Sequence, residues 1–497
     1  MKIVQVKDII KTIENGGSVL ENIENKSGIK NVLYNVVYLF CGNIVTKLLG
    51  AVATMIFIRY SGATNYGILS IALAFSAIVV FFTDAGISQT TIREGTKKNA
   101  DLSTIMYSYT RVRLFLFLIV TLASIVFVLV VYNDDPGKKY AILALTIPAL
   151  FGGLMQSIGM TYFQIIERMK KVLFINVVAS VGTSLALFLG VYFNFSIIVL
   201  CFSYGLASVF SGIYAIFLVK KEIKLTKKMD SKIFDQLLIF AINGVIVMLI
   251  PQIGPLILDR VLTVKEVGYY AAAFKIPSVL YQFPGVIATA FYPRLFQLGN
   301  EKKYKEHRAM SGFELKIMSI LGALLALPFV VAPKFWIVSL LKEEMLPAVP
   351  ALVLLSYLIL LQSMKYPLAD YLTTVGRQKG RTIVMFVGLI ISIVLYLVLG
   401  HLYGLTGGAM APVIAELVII IGSILLIPKG ISFFFKNNFV IVTSFILCIF
   451  MYKYLFSELH PLIGITIIEC LYILLVVVFQ KDIREKIKSF VEVKLKL

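Results

Sequence analysis

Five ionisable side chains lie deep within apolar stretches, and any chemistry this chain performs has to involve them: Lys47, Lys275, Lys365, Glu416 and Glu469. Each costs about 2.5–3.5 kcal/mol to hold at mid-membrane depth, so each needs a partner, a wet surface or a task. Lys47 is the deepest. It stands eleven residues from either end of the apolar segment 36–58, roughly 16 Å from either interface and beyond the reach of its own side chain. Asn43, Gly50 and Thr54 share its helical face at i, i+4, i+7, i+11 spacing. Such a stripe is either a tight helix-packing surface or the wall of a water-filled cavity, and the cost of a buried ammonium favours the wall. An ammonium in a low-dielectric cavity attracts phosphate and supplies no hydrolytic group. Ala271, Lys275, Ser278 and Gln282 form a second stripe, with Lys275 about 10 Å from the outer end of its segment. Lys365 lies a similar distance from the inner end of its own, beside Gln362, Tyr366 and Asp370. Either lysine can snorkel, and Lys365 can also pair with Asp370. Glu416 and Glu469 are open to protonation, masking by lipid or pairing with a lysine, and Glu416 is the candidate for ion coupling.

The usual signatures of catalysis are missing. There is no Walker A sequence, no Gly-x-Ser-x-Gly elbow and no His-Glu-x-x-His. The histidines His307, His401 and His460 fall in expected loops without a paired carboxylate. Cys41, Cys201, Cys448 and Cys470 fall in apolar segments without metal spacing, where free cysteine acts as a small hydrophobe. The expectation is therefore no enzyme, no catalytic residue, no metal and no cofactor.

The elements that must position these residues are membrane helices. Of 497 residues, 59% are hydrophobic and 15% charged, and the mean hydropathy is +0.90, values of a polytopic membrane protein. Spanning takes roughly 20 apolar residues, and fourteen segments qualify, near 36–58, 67–83, 110–132, 141–164, 172–193, 196–218, 236–258, 268–292, 312–332, 348–371, 382–400, 405–427, 438–456 and 461–479. Their long, unbroken apolar runs exclude barrel strands, which alternate over about ten residues. No cleavable signal is visible, so the first span serves as the insertion signal. With the N-terminus inside, 36 of the 47 Lys and Arg fall on the inner side and eight on the outer, apart from the three deep lysines. This places both termini in the cytoplasm. The net charge of +20 thus reports topology and contact with anionic headgroups, and nucleic-acid binding is excluded for want of a soluble reading module. Outer loops are short, except 333–347, whose Phe335, Trp336 and Leu340-Leu341 suit an interfacial stretch.

The chain also repeats itself. Arg59, Gly67 and Arg93 recur as Arg260, Gly268 and Arg294 at an offset of 201, and Tyr162, Arg168 and Lys170 as Tyr371, Arg377 and Lys379 at an offset of 209. Duplicated bundles surround a pathway between the copies. The expected fold is all-α: two parallel-repeat six-helix lobes around a central cavity plus a C-terminal helix pair. Its parts are an N-terminal tail (1–30), an N-lobe (31–218), an inter-lobe loop (219–235), a C-lobe (236–427), two further spans (428–480) and a C-terminal tail (481–497). Arg59 and Arg260, at the outer ends of spans one and seven, are headgroup anchors or a positive ring at the outer mouth. Asp84, Arg93 and Arg294 form a candidate inner gate, with Asp84 pairing Arg294 across lobes or Arg93 within its own. The alternative leaves both arginines as anchors. Pro251-Gln-Ile-Gly-Pro255 should loosen span seven, and Pro277 and Pro284-Gly285 should bend span eight.

Phe57 to Arg93 (FIRYSGATNYGILSIALAFSAIVVFFTDAGISQTTIR), Tyr371 to Arg381 (YLTTVGRQKGR) and Gly404-Leu-Thr-Gly-Gly-Ala409 resemble polysaccharide transporters of the multidrug/oligosaccharidyl-lipid/polysaccharide exporter superfamily. The resemblance covers essentially the whole chain. It implies export or flipping of a polyprenyl-linked oligosaccharide across the plasma membrane by alternating access, with glycan polymerase or glycosyltransferases as pathway partners. Lys47, Asn43, Lys275, Gln282, Lys365, Arg59 and Arg260 are then the candidate substrate-binding residues, since relatives of this type carry basic residues in a central cavity suited to a diphosphate. The superfamily's drug exporters use an acid in the first helix, whereas here no Asp or Glu occurs between positions 25 and 83. Cation-coupled drug antiport is the alternative function, and a membrane sugar-transferring enzyme is the other.

Overall fold

The computed structural model describes residues 26–480 and 484–485, apart from 99, 224, 225, 227 and 230–236. The side chains of 26–44, 237–243, 282, 286 and 289 are also outside the described residues. The described residues form helices and no strand. In chain order the α-helices are α1 (Lys26–Asp84), α2 (Ile87–Gly95), α3 (Leu102–Val131), α4 (Pro136–Ile165), α5 (Met169–Tyr192), α6 (Ile197–Lys220), α7 (Leu237–Leu258), α8 (Val264–Leu280), α9 (Gln282–Asn300), α10 (Tyr304–Val331), α11 (Pro333–Leu341), α12 (Val349–Thr374), α13 (Gln378–Leu426), α14 (Gly430–Met451) and α15 (Pro461–Phe479).

Unbroken apolar sequence drives these helices, because a backbone in hydrocarbon must satisfy its own polar groups. Among the described residues, ten helices are long and apolar enough to span on their own, and Gly244–Leu258 is a shorter apolar helix. Two of the ten hold two expected segments each. α1 turns between segments at Gly62 (φ +78°) and α13 at Gly404 (φ +59°), backbone states that glycine adopts cheaply. Side-chain caps fix several starts. Asp101 accepts from the Ser103 and Thr104 N–H groups at the head of α3, and Thr263 with Glu266 closes a capping box on α8.

The prolines act unequally. α7 is one helix with Pro251 and Pro255 inside it, whereas the eighth segment breaks at Tyr281 between α8 and α9. Three apolar cores organise the bundle. One is shared by the two halves and includes Phe57, Tyr66 and Leu69 from α1 with Tyr269, Tyr270 and Ala272 from α8. A second belongs to α10 and α12–α15, and a third joins the inner ends of α3–α6. The first core thus joins the two halves, whereas the second and third each lie within one half.

The repeat is visible in backbone detail. Arg168 N-caps α5 and Arg377 N-caps α13. Their amides make equivalent bonds to Phe163 O (2.8 Å) and Leu372 O (2.7 Å), and Glu167 and Gly376 just before them share a positive φ. The amphipathic stretch 333–341 is a helix, α11, with Ile337 and Leu341 buried in the shared core. One face of it packs on the protein, while Lys334 and Ser339 remain exposed.

Candidate translocation site

At the end that the charge distribution assigns to the outside, the two copies of the repeat meet glycine to glycine. A Cβ on Gly67 would overlap the Val264 carbonyl oxygen and lie 3.1 Å from Gly268 N; one on Gly268 would overlap the Ala63 carbonyl. Only glycine permits this backbone approach. Polar contacts surround the crossing. Arg59 Nη1 donates to the Ser339 carbonyl at 2.9 Å, and the Lys342 ammonium lies 4.5 Å from the Tyr60 ring centroid. Arg260 stacks over Tyr132 at 4.9 Å, and Lys138 pairs with Asp259 at 3.0 Å. Each repeat-matched arginine thus contacts the opposite half.

The Asp259 side chain is 1% exposed, so removing Lys138 leaves a buried charge with only the Tyr132 hydroxyl beside it to compensate. Lys138→Ala is expected to cost the closed seam about 2–5 kcal/mol. The double variant with Asp259→Asn recovers most of that loss. Spin-label distances between residues 137 and 343 read the opening. An unchanged distance in Lys138→Ala would remove the ion pair from the seam.

Below the seam, α1 is sparsely covered. Ser180 Oγ donates to the Thr46 carbonyl at 2.8 Å on one side, while Val45, Leu48 and Val52 are exposed along one apolar face. Lys47 is also exposed but lies off that face, about 140–200° from Val45 and Val52. Gly50 has no atom within 4 Å of a Cβ, and Thr54, the next member of the stripe, is buried with its hydroxyl on the Gly50 carbonyl at 2.6 Å. Lys275 lies seven residues inward of Gly268 on the same face of α8, the face that crosses α1. Neither lysine has an ion-pair partner among the described residues. The side chains of Asn43 and Gln282 lie outside the described residues.

The third lysine is placed differently. Lys365 pairs with Glu416 at 2.7 Å, not with Asp370. The pair lines a cavity of about 240 Å³ within the second half, together with Tyr281, Gln362, Tyr366, Arg381 and Tyr396. Glu416 is thus the lysine-paired acid among the options open in sequence, and Lys365 has its charge met locally. Glu469 is half-buried on α15.

The inner candidates do not meet in this conformation. Asp84 lies 3.5 Å from Arg113 and accepts from the Ser88 hydroxyl at 2.5 Å. Arg93 pairs with Glu94 at 3.1 Å, and Arg294 donates to Gln297 at 2.7 Å. The Lys97 hydrogen bond, aided by Arg93, holds Glu94 below the usual carboxylate range. Arg113 was not singled out in sequence, because four residues into its segment it reads as a headgroup anchor. It is in fact 1% exposed, donating to Thr83 (2.9 Å) and Ser157 (2.6 Å). His307, expected in a loop, is buried on α10 with Nε2 2.7 Å from Thr374 Oγ1.

The sequence matches the family described as polysaccharide biosynthesis protein over residues 32–299, more than half of the chain. It belongs to that family. No curated protein matches it. Solved structures do. The chain is similar to the lipid II flippase MurJ in its inward closed conformation, with a TM-score of 0.72 and 16% identity, covering 90% of this chain and 99% of that one. An inward-facing multidrug resistance MATE family transporter of the MOP superfamily gives 0.66 at 12% identity, covering 79% and 95%. An outward-facing one gives 0.56 at 14%, covering 81% and 96%. The chain therefore has the fold of these polytopic transporters.

Proposed function

We propose that this protein carries a lipid-linked oligosaccharide across the plasma membrane by alternating access, binding the anionic phosphate of the lipid carrier with lysines from both halves. The observation that carries the reading is the pair of unpartnered ammoniums, Lys47 and Lys275, beneath a sealed outer end. An ammonium that no carboxylate among the described residues neutralises suits a phosphate. The close glycine crossing between the halves supports an inward-loading state, as does the better fit to the inward-facing transporter. Asn43 and Gln282 are proposed to stand beside the lysines, Arg59 and Arg260 to hold the outer seam, and Asp84, Arg93 and Arg294 to approach one another when the inner side closes. Moving a charged headgroup is biased by membrane potential at about 2.3 kcal/mol per charge per 100 mV.

The test is purified protein in liposomes with a fluorescent polyprenyl-diphosphate sugar in one leaflet. Movement between leaflets well above protein-free liposomes is expected. No movement overturns the reading, and release of nucleotide or formation of glycan polymer by the same preparation would make it an enzyme.

A further inference from the structure

Glu314 on α10 is fully buried, and neither of its carboxyl oxygens meets an N–H or O–H donor among the described residues. An ionised carboxylate is not tolerated in such a place without compensation. What faces it is a second acid. α10 and α12 run antiparallel, and two contacts set their register. Gly322 packs on Ser363 and the Ile359 carbonyl, and His307 bonds Thr374 at 2.7 Å. Glu314 stands between Gly322 and His307 on one helix, and Asp370 stands between Ser363 and Thr374 on the other. The two carboxyl groups lie within hydrogen-bonding reach of each other.

A carboxyl–carboxyl hydrogen bond requires a proton, because one oxygen must donate, and two close carboxyls do not both ionise. We propose that Glu314 and Asp370 form a proton-binding pair that holds one shared proton and exchanges it through half-buried Asp370, linking proton uptake to the packing of α10 against α12. Losing the proton leaves two like charges across that contact, which pushes the inner ends of the helices apart; regaining it draws them together. The chemistry fits a proton better than a metal ion. No group of three or more His, Cys, Asp or Glu side chains is placed to hold a metal among the described residues. The cationic Arg381, which acts on Asp370 and donates to Thr373 at 2.7 Å, would also repel one.

The charged and titratable neighbours are few. Asp370 from α12 bears directly on Glu314. Arg381 from α13, Tyr292 from α9 and Tyr366 from α12 bear on Asp370. α14 presents Asn437, uncharged, against Gly312. On α10 itself, His307 is engaged by Thr374, and Lys316 is about 200° round the helix from Glu314. Glu469, the other half-buried acid of this half, lies on α15.

The site does not depend on what the substrate is, so the first readout omits substrate. The full chain in lipid is titrated from about pH 5 to pH 9 and followed by infrared difference spectroscopy. A protonated-carboxyl band is expected that disappears as pH rises, is absent in Glu314→Gln, is displaced in Asp370→Asn and persists in Glu469→Gln. A band that survives Glu314→Gln unchanged, or vanishes only with Glu469→Gln, overturns the pair. In the liposome assay, wild-type transport should change by up to about tenfold per pH unit on its titrating limb, and Glu314→Gln should be flat. A rate governed by replacing sodium with choline, at constant pH and in both proteins, would point to a metal ion instead. Should lipid-linked sugar fail to move while the band behaves as described, the substrate assignment falls and the proton site stands.

Discussion

Gly268→Ala is expected to hold the protein open at its outer end and to stop transport. The added methyl group would overlap the Ala63 carbonyl, a backbone atom that cannot rotate away. Overpacking typically costs about 1–3 kcal/mol, and a backbone-to-backbone clash belongs at the upper end of that range, roughly 100-fold in the closed-to-open ratio. Gly67→Ala should behave alike, because its methyl meets the Val264 carbonyl at the same crossing. The two effects should add incompletely, since they act on one contact. A cysteine at Ala271, buried just inside the seam, reports the change through labelling by an impermeant maleimide added outside. Gly50→Ala is the comparison, because a Cβ there meets nothing within 4 Å. If Gly268→Ala labels no faster than Gly50→Ala, the glycine crossing is not the outer seal.

Lys47→Ala is expected to remove transport while leaving the protein folded. Its side chain is exposed and has no ion-pair partner among the described residues to strand. The loss is that of a charge-assisted contact to phosphate, about 1.5–3 kcal/mol, or roughly 10- to 150-fold in rate. Lys47→Arg should keep part of the activity, since charge survives and the compact ammonium geometry does not. Flipping in liposomes gives the rate, and size-exclusion profiles in detergent verify folding. Cationic dye efflux that persists undiminished in Lys47→Ala would sink the anionic-headgroup mechanism and restore cation antiport.

The residues differ in how far their roles were legible in advance. The helical class and the duplication were, because apolar run length and residue offsets are properties of one strand of sequence. Lys47 stood out for the same reason: its depth follows from counting residues to the segment ends. Its face was readable too, since helical periodicity assigns direction locally. Gly67 and Gly268 could be matched as repeats, but nothing in their spacing said that they touch. That contact follows from how the two halves dock.

The acids show the same division more sharply. Lys365 and Glu416 were each recognisable as costly, yet they lie on different helices, and only the packing of α12 against α13 makes them a pair. Arg113 and Glu314 lie a few residues inside their segments, where a charge is indistinguishable from a headgroup anchor until the surrounding helices are seen to cover it. By itself the sequence determined the long apolar helices, their duplication and the polar face of the first of them, because those follow from local spacing. The tertiary structure alone decided which polar face meets which, because the register between antiparallel helices is set by side-chain packing between segments that the chain order leaves far apart.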